Sequence, residues 1–262
     1  MGSGGGSEGM VSLHRFFVAH ERIKDGYVII EGDEAKHLSK VLRLGPGDEV
    51  LVCDGSGKEL LVRLETAEKG LIKGRVVNQN HPEREPGLTV GLVQGVGKGE
   101  KMDFIVQKAV ELGISRIYPV MTDRGTVRLD GERAFHRVQR WEKIAKEACK
   151  QCGRTVVPEI KGITDLTVVM DECRDIPGLF FYEGEWKRPL KTILRENARI
   201  LRDRGVILYI GAEGGFSLRE AETARKRGIL MAGLGPRILR TETAALAAIT
   251  AVMYELGDLG GN

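Results

Sequence analysis

The chain has 262 residues, 42% of them hydrophobic and 29% charged, with a formal net charge of +3 and a pI near 8.6. That length accommodates one large domain or two modest ones, each with its own core. No apolar run approaches the ~20 residues that a membrane-spanning helix needs, and no leader pattern is present, so a soluble, cytoplasmic protein without a membrane partner is expected.

Residues 1–9 read MGSGGGSEG, an expression scar by composition, which makes Met10 the expected natural start. From there to Asn80, short apolar runs (YVII at 27–30, EVLVC at 49–53, ELLVRL at 59–64, LIKGRVV at 71–77) alternate with turn signals (DG, GPGD, DGSG, KG). Many short strands at close spacing predict a small β-barrel or sandwich over residues 10–80. Within it, residues 33–44 have a helical pattern that puts Ala35, Leu38, Val41 and Leu42 on one side. The segment HPEREPG at 81–87, with two prolines and little apolar matter, reads as a linker.

After the linker the period changes. Strands are predicted near Leu88, Ile114, Gly178, Val206 and Ile229, and helices near Lys98, Glu132, Thr164, Pro189, Ser217 and Thr241. This β-α alternation predicts an α/β domain over residues 88–262, with a mostly parallel sheet covered on both faces. SLRE at 217–220 is a capping box, so a helix starts there. Cys149 and Cys152 form a lone C-x-x-C with no second pair, which argues for two helix cysteines and against a zinc site; no metal is expected.

Charge distribution says more than net charge. Residues 10–81 hold eleven Lys/Arg against eleven Asp/Glu, whereas residues 124–154 hold nine against four. Arg133, Arg137 and Arg140, with Lys143, Lys146 and Lys150, are spaced to share a helix face, a candidate for phosphate contact.

Two stretches point to a ligand. Residues 210–217 read IGAEGGFS and residues 234–243 read LGPRILRTET, each following an apolar run and preceding a helical segment. Glycines at strand ends let backbone approach a ligand closely, and two such loops can form the lips of one pocket at the carboxyl edge of a sheet. A third glycine-rich run, GVGKG at 95–99, follows another predicted strand, with Asp123 near the end of the next. It raises the alternative of a nucleotide-dependent enzyme, although its spacing is neither G-x-G-x-x-G nor G-K-[ST].

The pair of loops resembles the SPOUT (α/β-knot) methyltransferases, and most of all the RsmE family, which methylates N3 of a uridine in small-subunit (16S) ribosomal RNA. The resemblance extends over most of the chain, through HRFF at 14–17, HLSKVLR at 37–43, KMD at 101–103, QKAVELG at 107–113, RW at 140–141 and QCGR at 151–154. The family has Pro after the glycine equivalent to Gly211; Ala212 stands there in this chain, which implies a looser turn.

The resemblance implies a PUA-like RNA-binding barrel, a trefoil-knot catalytic domain and a homodimer, because SPOUT cofactor pockets lie at a subunit interface. The run AALAAI at 244–249 fits a dimer seam or a buried core equally well. It implies S-adenosylmethionine as cofactor, held by Gly211, Gly214, Gly215, Leu234, Gly235, Ile238 and Leu239, with Tyr182 and Glu183 from the FYEG segment. Arg240 is then a candidate to stabilise negative charge on the target base, and Glu213 a candidate base if burial raises its pKa. Small-subunit ribosomal RNA, naked or in an assembled subunit, would meet His14, Arg15, Lys40, Arg43, Lys98, Arg124, Arg128, Arg137 and Arg140. A non-catalytic RNA-binding or ribosome-assembly factor of the same fold is the remaining alternative.

Overall fold

The computed structural model describes residues 13–68, 70–127, 131–183 and 189–261. Residues 1–9, read above as an expression scar, together with Met10 and Arg128 lie outside these. The chain divides into two compact units between Arg84 and Glu85.

The first unit is a six-stranded sheet. Its order is β1 (Arg15–Phe17), β4 (Glu49–Cys53), β5 (Glu59–Glu68), β6 (Leu71–Asn80), β3 (Tyr27–Glu31) and β2 (Ile23–Lys24), and among the described residues the ladder does not close between β1 and β2. Only the β1–β4 pair is parallel. Side chains alternate along each strand, so Val28, Ile30, Val50, Val52, Leu60, Val62 and Leu64 fall on one face and build the core. At Gly74 in β6, a Cβ would stand 2.4 Å from Val62 Cγ1 and 2.9 Å from the carbonyl oxygen of Arg63, so only glycine lets β5 and β6 pass.

The helical segment departs from its sequence pattern. Helix α1 (Gly32–Lys36) runs into a π-helical turn (His37–Val41), in which Leu42 N–H donates to the His37 carbonyl at 3.0 Å. Ala35 and Leu38 are buried as expected, but Val41 is 68% exposed. A π turn takes more residues to complete than the 3.6-residue period supposes, so positions along it fall out of register with that pattern and Val41 leaves the apolar side.

The second unit is a sheet of seven parallel strands. Its order is β10 (Thr164–Asp165), β8 (Arg116–Met121), β7 (Val90–Gly95), β12 (Val206–Ile210), β11 (Gly178–Phe181) and β13 (Leu230–Ala232), while β9 (Glu159–Ile160) shares the β8 edge with β10. Strands β7 and β12 are buried at every position, the near-continuous burial expected of a strand covered on both faces. Helices α4 (Leu166–Glu172) and α7 (Leu218–Lys226) enclose one core around Tyr118, Phe180, Tyr209 and Phe216. Helices α2 (Lys101–Glu111), α3 (Gly131–Cys152) and α8 (Thr241–Glu255) pack together elsewhere, with α8 also on β7 and β12. The segment after Pro189, read as one helix, is two, α5 (Leu190–Glu196) and α6 (Ala198–Arg204), separated at Asn197 with its non-helical φ of −110°.

The unit starts on a fixed point. Glu85 accepts from Arg154 Nη2 at 2.8 Å and from the Thr155 amide at 2.8 Å, and the same guanidinium donates to the carbonyls of Val110 and Ile114. The last residues of the linker segment are thereby anchored into the second unit. Among the described residues no helix is long and apolar enough to cross a membrane.

Candidate active site

Strand order reverses beside β7. From it the chain runs outward through β8 to β10, whereas β12, β11 and β13 lie on its other side. The loops leaving the carboxyl ends of β12, β11 and β13 therefore converge, which is where open α/β sheets form ligand clefts. One cleft there is lined by Phe181, Tyr182 and Glu183 after β11, by residues 210–216 around β12's end, by residues 232–239 after β13, and by Thr241 and Ala244 of α8.

Every residue named from the sequence for the cofactor sits in this lining: Tyr182, Glu183, Gly211, Gly214, Gly215, Leu234, Gly235, Ile238 and Leu239. The loops are held by main chain. Tyr182 N–H donates to the Ala232 carbonyl at 3.2 Å, and Gly215 N–H donates to the Ala212 carbonyl at 2.9 Å. The second bond closes the turn that Ala212, in place of proline, would leave loose; Ala212 is itself buried. Gly215 at φ +65° and Gly235 at φ +93° adopt the left-handed region that favours glycine, and no protein atom lies within 4 Å of the Cβ position at either. The capping box expected at α7 is formed: Glu220 N–H donates to Ser217 Oγ at 3.1 Å, and Ser217 N–H donates to Glu220 Oε2 at 2.6 Å.

The GVGKG run does not make a phosphate cradle. A Cβ at Gly97 would meet Glu213 Oε1 at 2.8 Å, so a carboxylate already fills the place where an anion would sit. Glu213 Oε1 accepts from the Lys98 amide at 3.0 Å and pairs with Lys101 Nζ at 3.1 Å. Asp123, the candidate ribose ligand of that alternative, is engaged by Ser217 Oγ at 2.6 Å and by Arg219 Nη2 at 2.6 Å.

The same contacts correct the sequence reading of Glu213. Burial pushes its pKa upward, but hydrogen bonds from its own backbone, Lys101 and Lys98 outweigh it, and the carboxyl lies below the usual glutamate range. The raised pKa required of a base is not present. Glu213 instead ties the loop after β12 to the loop after β7.

The basic residues divide into engaged and unengaged sets. Arg15 is not free for phosphate: its Nε donates to Glu59 at 3.0 Å, with side chains only 10% and 7% exposed. Arg140 is held by Asp103 at 2.8 Å, Arg137 Nη1 donates to the Gly97 carbonyl at 3.4 Å, and Lys150 pairs with Glu147 at 2.7 Å, so the basic face of α3 is largely used inside the protein. His14, Lys40 and Arg43 are exposed on the first unit. Lys98, Arg124, Arg237 and Arg240 are exposed, and none has an ion-pair partner among the described residues.

Arg240 is the N-cap residue of α8 and stands beside the cleft, not in its lining; Arg237, which the sequence reading passed over, lines it. The LGPRILR segment at 234–240 offers two arginines three apart, and nothing in the pattern says which one lines the cleft. Thr241, Ala244 and Phe216 were also missed, because ordinary small and apolar residues carry no motif signal.

Comparison with known proteins agrees with this geometry. The family model described as an RNA methyltransferase domain matches residues 83–253, and that described as an RNA methyltransferase PUA domain matches residues 30–77. The chain is 30% identical over 255 residues to the Ribosomal RNA small subunit methyltransferase E of Bacillus subtilis, covering 95% of this chain and 100% of that protein. It is 34% identical to that of Buchnera aphidicola subsp. Schizaphis graminum, over 85% of this chain and 88% of the relative. The crystal structure of the Neisseria gonorrhoeae enzyme bound to S-adenosyl methionine superposes with a TM-score of 0.84 at 31% identity, covering 94% of this chain and 99% of that one. With its PUA domain, its parallel α/β unit and its glycine-lined cleft, the chain is an RNA methyltransferase and belongs to the ribosomal RNA small subunit methyltransferase E family.

Proposed function

We propose that the protein binds S-adenosylmethionine in the cleft at the ends of β11, β12 and β13 and methylates N3 of a uridine in 16S ribosomal RNA. It would act as a homodimer in the cytoplasm, on naked RNA or on an assembled small subunit. The observation that carries this reading is the main-chain lining of the cleft from loops 210–216 and 232–239, with open Cβ positions at Gly215 and Gly235. Backbone amides and carbonyls can hold an extended ligand there at close approach, while Leu234, Ile238, Leu239 and Ala244 supply apolar contact for a flat ring. The relative from Neisseria gonorrhoeae, described as bound to S-adenosyl methionine, supports the same ligand.

When bound, this cofactor supplies a methyl group on a positively charged sulfur. The protein's own task is then to hold the acceptor nitrogen in line and to accommodate the negative charge left on the base when the imide proton departs to solvent water. Arg240 and Arg237, unpaired at the cleft, can donate to the flanking carbonyl oxygens with guanidinium groups that stay ionised. Lys98 and Arg124 flank the loop at Glu213 and Gly214, the Lys98 amide donating to Glu213 and the Arg124 carbonyl oxygen lying 2.8 Å from the Gly214 Cβ position, and offer phosphate contacts beside the same cleft.

For the dimer, α8 presents a second side. Ala245, Ala248, Ile249 and Val252 are buried in the unit, but Leu246, Ala247, Thr250 and Ala251 line a shallow groove with Phe104 (45% exposed) and Tyr254 (64% exposed). The small residues there permit close packing by the same face of a second copy, directly behind the turn of α8 that lines the cleft.

The direct test is transfer of labelled methyl from S-adenosylmethionine to small-subunit RNA or subunits, with the modified base identified by mass spectrometry; bound cofactor and no transfer would refute the reading. Gly215→Val is expected to weaken cofactor binding by calorimetry, by roughly tenfold or more, because its branch enters the cleft where no protein atom now stands; wild-type affinity would contradict this. Arg240→Ala should lower kcat by ~10²–10³-fold with little change in cofactor affinity, measured by steady-state kinetics, and an unchanged kcat would remove Arg240 from the charge-stabilising role. Replacing Lys98 and Arg124 by glutamate should flatten the salt dependence of RNA binding by about 0.7 log units per lost phosphate contact; an unaltered slope in filter binding would exclude that rim. Light scattering should give twice the 28.8 kDa chain mass for the wild type and one chain for Leu246→Glu, whereas a wild-type monomer at micromolar concentration would overturn the dimer.

A further inference from the structure

Beneath the cleft lies a buried polar group that none of the chemistry above uses. Gln94, near the end of the central strand β7, has no solvent exposure. Its Nε2 lies 2.9 Å from Thr241 Oγ1, 3.0 Å from the Gly95 carbonyl oxygen and 3.2 Å from the Gly211 carbonyl oxygen. Thr241 Oγ1 in turn donates to the Gly211 carbonyl at 2.6 Å.

The directions are consistent. The hydroxyl gives its one proton to Gly211 and so accepts from Gln94, and the second amide proton serves the two carbonyls. Turning the amide over would set Oε1 against those carbonyls, acceptor facing acceptor. The orientation is therefore fixed, and Oε1 is left buried with no partner among the described residues. A leucine would fill this position without stranding an acceptor, since an unpaired buried polar atom is costly. What leucine could not do is hold two loops to one point. Gly211 opens the first lip of the cleft and Thr241 ends the second, at the first residue of α8, and both line the cleft.

We propose that Gln94 is a positioning residue: through Thr241 and the Gly211 carbonyl it sets the separation of the two lips that grip the methyl donor. It touches no substrate, and its effect reaches the ligand only through the lips. The inference rests on the proposed binding of S-adenosylmethionine in this cleft.

Calorimetric titration with S-adenosylmethionine tests it, alongside urea unfolding of the same proteins. Wild-type protein that fails to bind refutes the cleft reading itself, before any variant is considered. Given wild-type binding, Gln94→Leu is expected to bind at least tenfold more weakly with an unfolding midpoint no lower than that of the wild type, and with KM for RNA unchanged. Thr241→Val cuts the same link from its other end, so it carries the test if Gln94→Leu does not fold. Thr241→Ser, which keeps the hydroxyl, should restore the affinity lost in Thr241→Val. The double variant Gln94→Leu/Thr241→Val should be no weaker than the poorer single variant, because both break one link. Wild-type affinity in Gln94→Leu, failure of serine to restore binding, or fully additive losses would each overturn the proposal.

Discussion

The end of the central strand and the loop after β12 meet backbone to backbone. A Cβ at Gly95 would stand 2.3 Å from the Ala212 nitrogen and 2.8 Å from the Gly211 carbonyl carbon, and one at Gly211 would stand 2.8 Å from the Gly215 carbonyl carbon. No side chain fits at either place. Because none is there, the loop can fold flat over the end of β7, its main chain facing outward into the cleft and inward onto Gln94. The capping box of α7, the Glu213 tie to Lys98 and Lys101, and the start of α8 are all laid against this contact. Each hydrogen bond among them contributes a net of about 0.5–1.5 kcal/mol. Together they fix a cleft that apolar burial alone, being non-directional, would leave loosely defined.

Charge around the cleft follows a different logic from charge elsewhere. On the first unit Arg15 is consumed by Glu59, and on α3 Arg140 is consumed by Asp103, which also accepts from Trp141 Nε1 at 3.1 Å. Such pairs use the guanidinium fork to fasten elements together and leave little attraction for an outside anion. Lys98, Arg124, Arg237 and Arg240 are not compensated in this way among the described residues. Uncompensated cations near a concave backbone surface attract polyanions and favour negative charge developing in the cleft. A net charge of only +3 conceals this, because the pairing and not the count decides which cations remain available.

Glu213 shows how a motif residue can be assigned to the wrong task when only its type is known. A glutamate in a glycine-rich loop beside an active cleft fits a general base. In three dimensions its carboxylate faces the amide of Lys98 and the ammonium of Lys101, which favour the ionised form more than burial opposes it. The ionised form is thereby favoured, and the residue serves as a clasp. The glycine of the GVGKG run closest to it, Gly97, is small for the same reason: the carboxylate occupies its side-chain space.

Much of this was legible in the order of residues. The change from period-two runs to β-α alternation after residue 87 marked two kinds of sheet, the SLRE box marked the start of α7, and the two glycine loops marked the lining of the cleft. These signals are local: a turn, a cap or a strand end is decided by residues within one or two turns of one another, and their pattern can be read along the chain. Only the folded chain decided that β12 lies beside β7, so that Gln94 reaches Gly211 across 117 residues and Thr241 across 147. It also decided that Arg237 lines the cleft while Arg240 stands beside it, that Arg15 turns to Glu59, and that a π turn expels Val41 from the core. Partners so far apart in sequence are chosen by sheet order and by which face of each element is buried, and no periodicity within a single segment encodes either.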